Sequence, residues 1–225
     1  SLEISGYQLT PENFKQLYQI LISSLLIKRF LNKTEFPLWH SNSRGLLSSK
    51  SAKTAVEKIF DDSFQIKEDA SWELNRLTRM IVKIECGLKE TMQKIFTRAK
   101  HENWLGGDQI VFRNGRSVLP LKANSKRKIK GIVQDQSTTG QTVYLEPMES
   151  IELNNQLTEL QFAVKEEEKR LLRELTAFFQ PMSKIIQESF NILKYIDRHF
   201  TIAGLAHHLK AIRPELKENG HIVFD

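Results

Sequence analysis

Two helical stretches flank one short segment of a different character, and that interruption restricts the possible fold more than any other feature of the chain. Residues 109–147 read QIVFRNGRSVLPLKANSKRKIKGIVQDQSTTGQTVYLEP. Apolar and polar residues alternate around Val111 and Arg113, then across Ile132, Gln134 and residues 141–145, the period-2 pattern of strands. Turn formers punctuate the segment: Asn114-Gly115, where a positive-φ hairpin turn is easy, then Asn124-Ser125, Gly131 and Thr139-Gly140. Between Gln109 and Gln134 there are seven Lys or Arg and no acid, so the expected sheet is strongly cationic.

The flanks have helical periodicity. From Ala70 the apolar residues Leu74, Leu77, Ile81, Ile84, Leu88, Ile95 and Ala99 fall on steps of three and four, a coiled-coil seam rather than a broad globular face. This predicts a helix over residues 70–101, about 50 Å long, ended by Asn103 and Gly106-Gly107. A second long helix is predicted from Pro147, with a seam of Leu153, Leu157, Leu160, Val164, Leu171, Leu175, Phe178, Met182, Ile185, Ile192 and Ile196. Its contour to Ile196 is on the order of 70 Å, and Pro181 should kink it by deleting a ladder hydrogen bond. The charge run at 165–170 within it reads as a solvated face with ion pairs one turn apart. Helices that leave and re-enter one compact insert must run antiparallel.

Outside these arms the pattern is globular. Thr10-Pro11-Glu12-Asn13 opens a helix, with Thr as N-cap and Pro at the first helical position. Phe14, Leu17, Tyr18, Leu21, Leu25 and Leu31 give it a wide apolar face. Residues 32–50, with Pro37 and Gly45, form a connection that Trp39, Leu46 and Leu47 should anchor to the core; a short helix over 52–60 follows. Residues 201–212, with Ile202, Leu205, Ala206 and Leu209, should return to the first helices as one bundle. Residues 221–225 read as the start of a strand, as if the chain were cut from something longer. The fold class expected is mainly α: a helical core (1–62 and 198–225), lever helices (63–107 and 148–197) and a β-rich clamp (108–147).

Composition excludes several classes. The single cysteine, Cys86, rules out a disulfide framework, and its place between Ile84 and Leu88 predicts a buried, inert thiol. The longest apolar run, residues 20–27, is far short of the roughly 20 residues that span a bilayer, so no membrane partner is expected and the location expected is cytoplasmic. Asp135, Glu146 and Glu149 make no catalytic or metal spacing, and sheet or helix-cap roles are expected of them. Adjacent His207 and His208 diverge by about 100° on a helix and cannot chelate one ion by themselves. Ser137, Thr138, Thr139 and Thr142 have no partnering His, so no catalysis and no cofactor are expected within the chain.

The runs FRNGRSVLPLKA at 112–123, KGIVQDQSTTGQTVYLEP at 130–147 and ELNNQLTELQ at 152–161 closely resemble the type-2 MutS proteins, bacterial MutS paralogues associated with suppressing recombination. The likeness extends through residues 60–72 and through KYIDRHFTIAGLAHHLKAIRPEL at 194–216. One departure is Gln134, where that family usually carries His before Asp-Gln-Ser, which argues against an indispensable base or metal ligand there. The resemblance implies core and lever helices with a clamp at the lever tip, an ATPase and a small nuclease domain beyond this region, and a homodimer of the full-length protein. No GxxxxGK[ST] phosphate cradle occurs in these 225 residues. On this reading Arg113, Arg116, Lys122, Lys126, Arg127, Lys128 and Lys130 touch phosphates of a nucleic acid. The partner is duplex DNA, or ribosomal or other structured RNA, since phosphate looks alike on both; a mechanical scaffold relaying ATPase-driven motion is the third reading.

Overall fold

The computed structural model describes residues 8–32 and 43–211. Pro37, Trp39 and everything read above at 212–225 lie outside the described residues. The described part is mainly helical and carries one four-stranded antiparallel sheet. In order, the elements are α1 (Pro11–Leu31), α2 (Lys50–Ile59), α3 (Trp72–His101), β1 (Val111–Arg113), β2 (Arg116–Lys122), β3 (Gly131–Gln136), β4 (Thr142–Pro147), α4 (Met148–Phe179) and α5 (Ser183–His208). They divide into two compact units, Ser1–Glu57 with Leu175–Asp225 and Lys58–Glu174.

In the first unit α1 starts as its sequence dictates. The Thr10 hydroxyl accepts the Asn13 N–H at 3.3 Å, and the Asn13 side chain returns the bond to Thr10 N–H, a reciprocal cap. Phe14 is fully buried and its ring lies 6.2 Å from that of Phe179. Leu46 and Leu47 are buried, as expected of anchors, and Leu47 N–H donates to Ser189 Oγ at 2.7 Å. Gly45 packs close beside it: a Cβ there would lie 2.7 Å from Ile192 Cδ1, so the end of that side chain would have to turn aside.

Two helical expectations need correction in this unit. Pro181 does interrupt the second long helix, through a 3-10 turn at Gln180–Met182. The buried face nevertheless keeps steps of four and three through the turn: Leu175, Phe179, Ile186, Ser189 and Ile196 are buried, with Met182 and Leu193 half-buried, so Phe178 and Ile185, expected on the seam, lie beside it. The helix then continues without a break through 201–208, because Gly204 alone does not stop it. Ile202, Leu205 and Leu209 are 54–64% exposed and do not pack into a bundle among the described residues.

In the second unit α3 begins at Ser71, whose hydroxyl accepts Leu74 N–H at 3.0 Å, and ends in a complete Schellman turn. Asn103 takes the left-handed conformation (φ 56°), Asn103 N–H bonds Lys100 O and Trp104 N–H bonds Ala99 O. The buried seam runs Leu74, Leu77, Leu88, Met92, Phe96 and Ala99, with Ile81, Ile84 and Ile95 half-buried beside it. Cys86 is exposed, contrary to expectation. A residue two positions from each of Ile84 and Leu88 points about 200° away from both. Near its start α3 meets the far part of α4, through Ser71 Oγ and Glu167 Oε1 at 2.6 Å. Near its end, Leu88–Ala99 share one core with Leu157 early in α4, so the two helices contact in antiparallel order.

That core is closed by the sheet, ordered β1-β2-β4-β3, from which Leu119, Leu121, Val143 and Leu145 point inward. The β1–β2 hairpin turns on Asn114-Gly115, both with positive φ (51° and 75°). Pro120 is tolerated in a buried strand because its carbonyl faces the 104–106 segment, accepting Gly106 N–H at 2.9 Å; the missing N–H falls on that side, beyond the end of β1. Gly131 is not a turn residue but the first residue of β3, and Asn124-Ser125 lies in a 3-10 turn.

Candidate nucleic-acid interface

The seven cations of the insert sit in two different situations. Four belong to the loop that joins the 3-10 turn Ala123–Ser125 to β3. The loop is pinned at each end: Lys128 N–H bonds Ser125 O at 2.9 Å, and Met148 N–H bonds Lys130 O at 3.0 Å. In its middle Ile129 is buried in the core with Leu121 and Val143. One apolar anchor thus fixes a backbone that presents Lys126, Arg127, Lys128 and Lys130 outward, all exposed. None of the four side chains has a hydrogen bond or ion pair among the described residues. Four like charges within five residues repel one another, and an approaching polyanion relieves that repulsion.

The other three cations are bonded within the unit. Arg116 donates through Nη1 to Glu146 Oε1 at 2.7 Å and through Nη2 to Asn155 Oδ1 at 2.7 Å. Glu146 is completely buried, and its carboxylate also accepts Asn154 Nδ2 at 2.8 Å and Gln134 Nε2 at 2.6 Å. A charge so buried has to be paired and hydrogen-bonded, and Arg116 supplies the counter-charge. Gln134, at the position where the sequence departs from its resemblance, is therefore a donor to this carboxylate. Lys122 donates to Asn103 O at 3.0 Å and to Asn103 Oδ1 at 2.7 Å, closing the carbonyl end of α3. Arg113 lies 3.5 Å from Asp135 and 4.7 Å above the Tyr144 ring, half-exposed. Asp135 and Glu146 thus hold sheet positions, as expected. Phe112 is 64% exposed, whereas Tyr144 is half-buried under Arg113.

The charge run on α4 makes the ion pairs one turn apart expected of it, and its face is solvated except at Glu167. Lys169 pairs with Glu166 at 2.7 Å, and Arg170 pairs with Glu167 and Glu174. Glu167 is buried, however, because it also receives the Ser71 hydroxyl. The Arg170 hydrogen bond, with a smaller contribution from Ser71, holds its carboxyl below the usual range against the opposing effect of burial.

Fold and surface together define a mainly helical scaffold bearing a small sheet with an unneutralised basic loop. Comparison with known proteins supports the MutS2 family for this chain. Endonuclease MutS2 of Geobacillus sp. is 30% identical over 222 residues, which is 96% of this chain and 28% of that protein. Endonuclease MutS2 of Leuconostoc mesenteroides is 37% identical over 174 residues, 77% of this chain and 21% of that protein. That of Alkaliphilus oremlandii is 30% identical over 224 residues, 98% and 28% respectively. The chain therefore spans between about a fifth and just over a quarter of the length of these relatives. No protein-family model matches it.

Proposed function

We propose that this chain is the core, lever and clamp region of a MutS2-type protein, and that the loop at 126–130 grips the phosphate backbone of a nucleic acid. The observation that carries the reading is the contrast within the insert: the Arg116 and Lys122 side chains are bonded internally, whereas those of Lys126, Arg127, Lys128 and Lys130 are exposed on a pinned loop and bonded to nothing described. The relatives' similarity supports a nucleic-acid-associated role. Duplex DNA is the ligand proposed, read by charge and not by sequence. On the same reading the chain has no catalysis or cofactor of its own, acts in the cytoplasm, relays ATPase-driven motion along its helices and belongs to a homodimer. A second copy would multiply weak contacts by effective concentration.

The test is a salt titration of duplex binding to the 225-residue chain, by fluorescence anisotropy, with Arg127→Ala/Lys128→Ala/Lys130→Ala as the variant. Affinity should drop for all sequences alike, and the log–log salt slope should flatten by roughly one unit per lost contact. Neutralising Lys165 and Lys169 should be nearly silent. Unchanged affinity and slope in the loop variant, with losses on changing Lys165 and Lys169, would move the contact to α4. A parallel arm with purified ribosomes as competitor separates DNA from RNA as partner.

A further inference from the structure

A second surface in the same unit, on α3, has no part in the loop reading. Among Trp72–His101 there are seven Lys or Arg against three Glu, whereas Met148–Phe179 holds four against seven. The cations of α3 are not spread evenly. At about 100° per residue, Trp72, Arg76, Arg79 and Lys83 fall in one sector roughly 60° wide, opposite Leu74, Leu77 and Leu88. Trp72 is 79% exposed, the highest value of any large apolar side chain among the described residues. Burying an indole would normally be favourable by a few kcal/mol, so one left this open at the head of a helix is available for contact.

The surroundings of the ring are ordered. Glu73 holds the Arg76 guanidinium by two bonds, at 2.9 and 2.6 Å, with Arg76 Nη1 3.2 Å from Met80 Sδ. So fixed, Arg76 lies 6.0 Å from the Trp72 ring centre. One and two turns on, the side chains of Arg79 and Lys83 have no hydrogen bond or ion pair among the described residues, and the two residues stand about 6 Å apart along the axis. Trp72, Asn75, Arg76, Arg79, Met80 and Lys83 line a shallow depression of about 310 Å³.

We propose that this sector of α3 binds an unpaired stretch of nucleic acid, with a base stacked on Trp72 and neighbouring phosphates on Arg79 and Lys83. The combination decides the class of ligand. Free cations alone suit any polyanion, but an exposed indole about two to three turns away adds a partner that stacks on flat rings. A single strand offers both phosphates and open base faces, whereas a duplex keeps its bases stacked inside. An acidic peptide would satisfy the cations and leave the indole without a specific partner. The surface is separate from the loop at 126–130, so duplex contact at the sheet and single-strand contact on α3 can be lost independently.

The experiment uses the 225-residue chain and fluorescein-labelled oligo(dT), followed by anisotropy and by tryptophan emission. Trp72→Ala should weaken binding by roughly 5- to 100-fold, and Trp72→Phe should recover much of the loss, because stacking needs a ring and not an indole N–H. Arg79→Ala/Lys83→Ala should flatten the salt slope by about 1.4, at about 0.7 per single-strand phosphate. All four side chains point away from the buried seam, so the variants should melt like the parent. The Arg127→Ala/Lys128→Ala/Lys130→Ala protein should still show oligo(dT)-dependent quenching of Trp72. Binding by Trp72→Ala within twofold of the parent would overturn the proposal, as would equal displacement of oligo(dT) by polyglutamate. Loss of quenching in the loop variant would also overturn it, leaving the loop as the single contact.

Discussion

Arg116 and Glu146, 30 residues apart in sequence, form a 2.7 Å charge-assisted hydrogen bond in which the carboxylate is wholly buried. This pair joins β2 to β4, and Asn154 and Asn155 tie it to α4. It takes Arg116 out of the set of cations free to meet a ligand.

Removing one partner of such a pair leaves the other charge buried and uncompensated. Arg116→Ala should therefore destabilise the chain by about 3 kcal/mol in urea unfolding. Adding Glu146→Gln should recover a large part of that, since the charge left behind is gone. Additive losses in the double variant would contradict this account of the pair.

Acid should weaken the contact of α3 with α4. The Glu167 carboxyl is held below its ordinary value of 4.5, chiefly by the Arg170 hydrogen bond and secondarily by Ser71. A depressed folded value means the stabilisation is fully present above the unfolded pKa and is lost as pH falls through the folded one. Parent and Glu167→Gln should accordingly differ most near neutrality, with the difference shrinking as pH drops below about 4.5. A difference that stays constant from neutral pH down to strongly acid pH would exclude this linkage.

Gly131 admits no side chain. A Cβ there would stand 2.1 Å from the Glu146 carbonyl oxygen, a backbone atom that cannot swing aside. Gly131→Ala should cost about 2 kcal/mol or more and raise amide exchange in β3 and the adjoining basic loop. Gly115→Ala meets no atom within 4 Å, and its cost, about 1 kcal/mol, comes from the positive φ alone.

Cys86 and Met92 make a matched contrast on one helix. Cys86 is exposed and should react stoichiometrically with a maleimide in the native protein, at a rate that added denaturant leaves largely unchanged. Met92 is 1% exposed in the core under the sheet, and Met92→Ala should lower stability by roughly 2–5 kcal/mol. Native-state protection of the thiol would mean that α3 carries a second buried face.

Much of the local structure was legible from residues alone. The N-cap at Thr10, the turn at Asn114-Gly115, the stop at Asn103 and the break at Pro181 are set by backbone chemistry within a few residues. The misread features are of another kind. Phe178 and Ile185 were one position out because each has an apolar neighbour, Phe179 and Ile186, at the next residue, so steps of three and of four both meet an apolar side chain and only packing chooses between them. Cys86 was misread because its neighbours in sequence are not its neighbours on the helix surface.

The sequence by itself determined that helices flank a basic, turn-punctuated sheet, because periodicity and turn chemistry act over short distances. It also marked all seven cations of the insert. Only the tertiary structure decided which of them keep their charge free. Arg116 is matched by Glu146, Lys122 by the end of α3, and the residues at 126–130 by nothing described, because an ion pair is fixed by which side chains packing brings within about 4 Å.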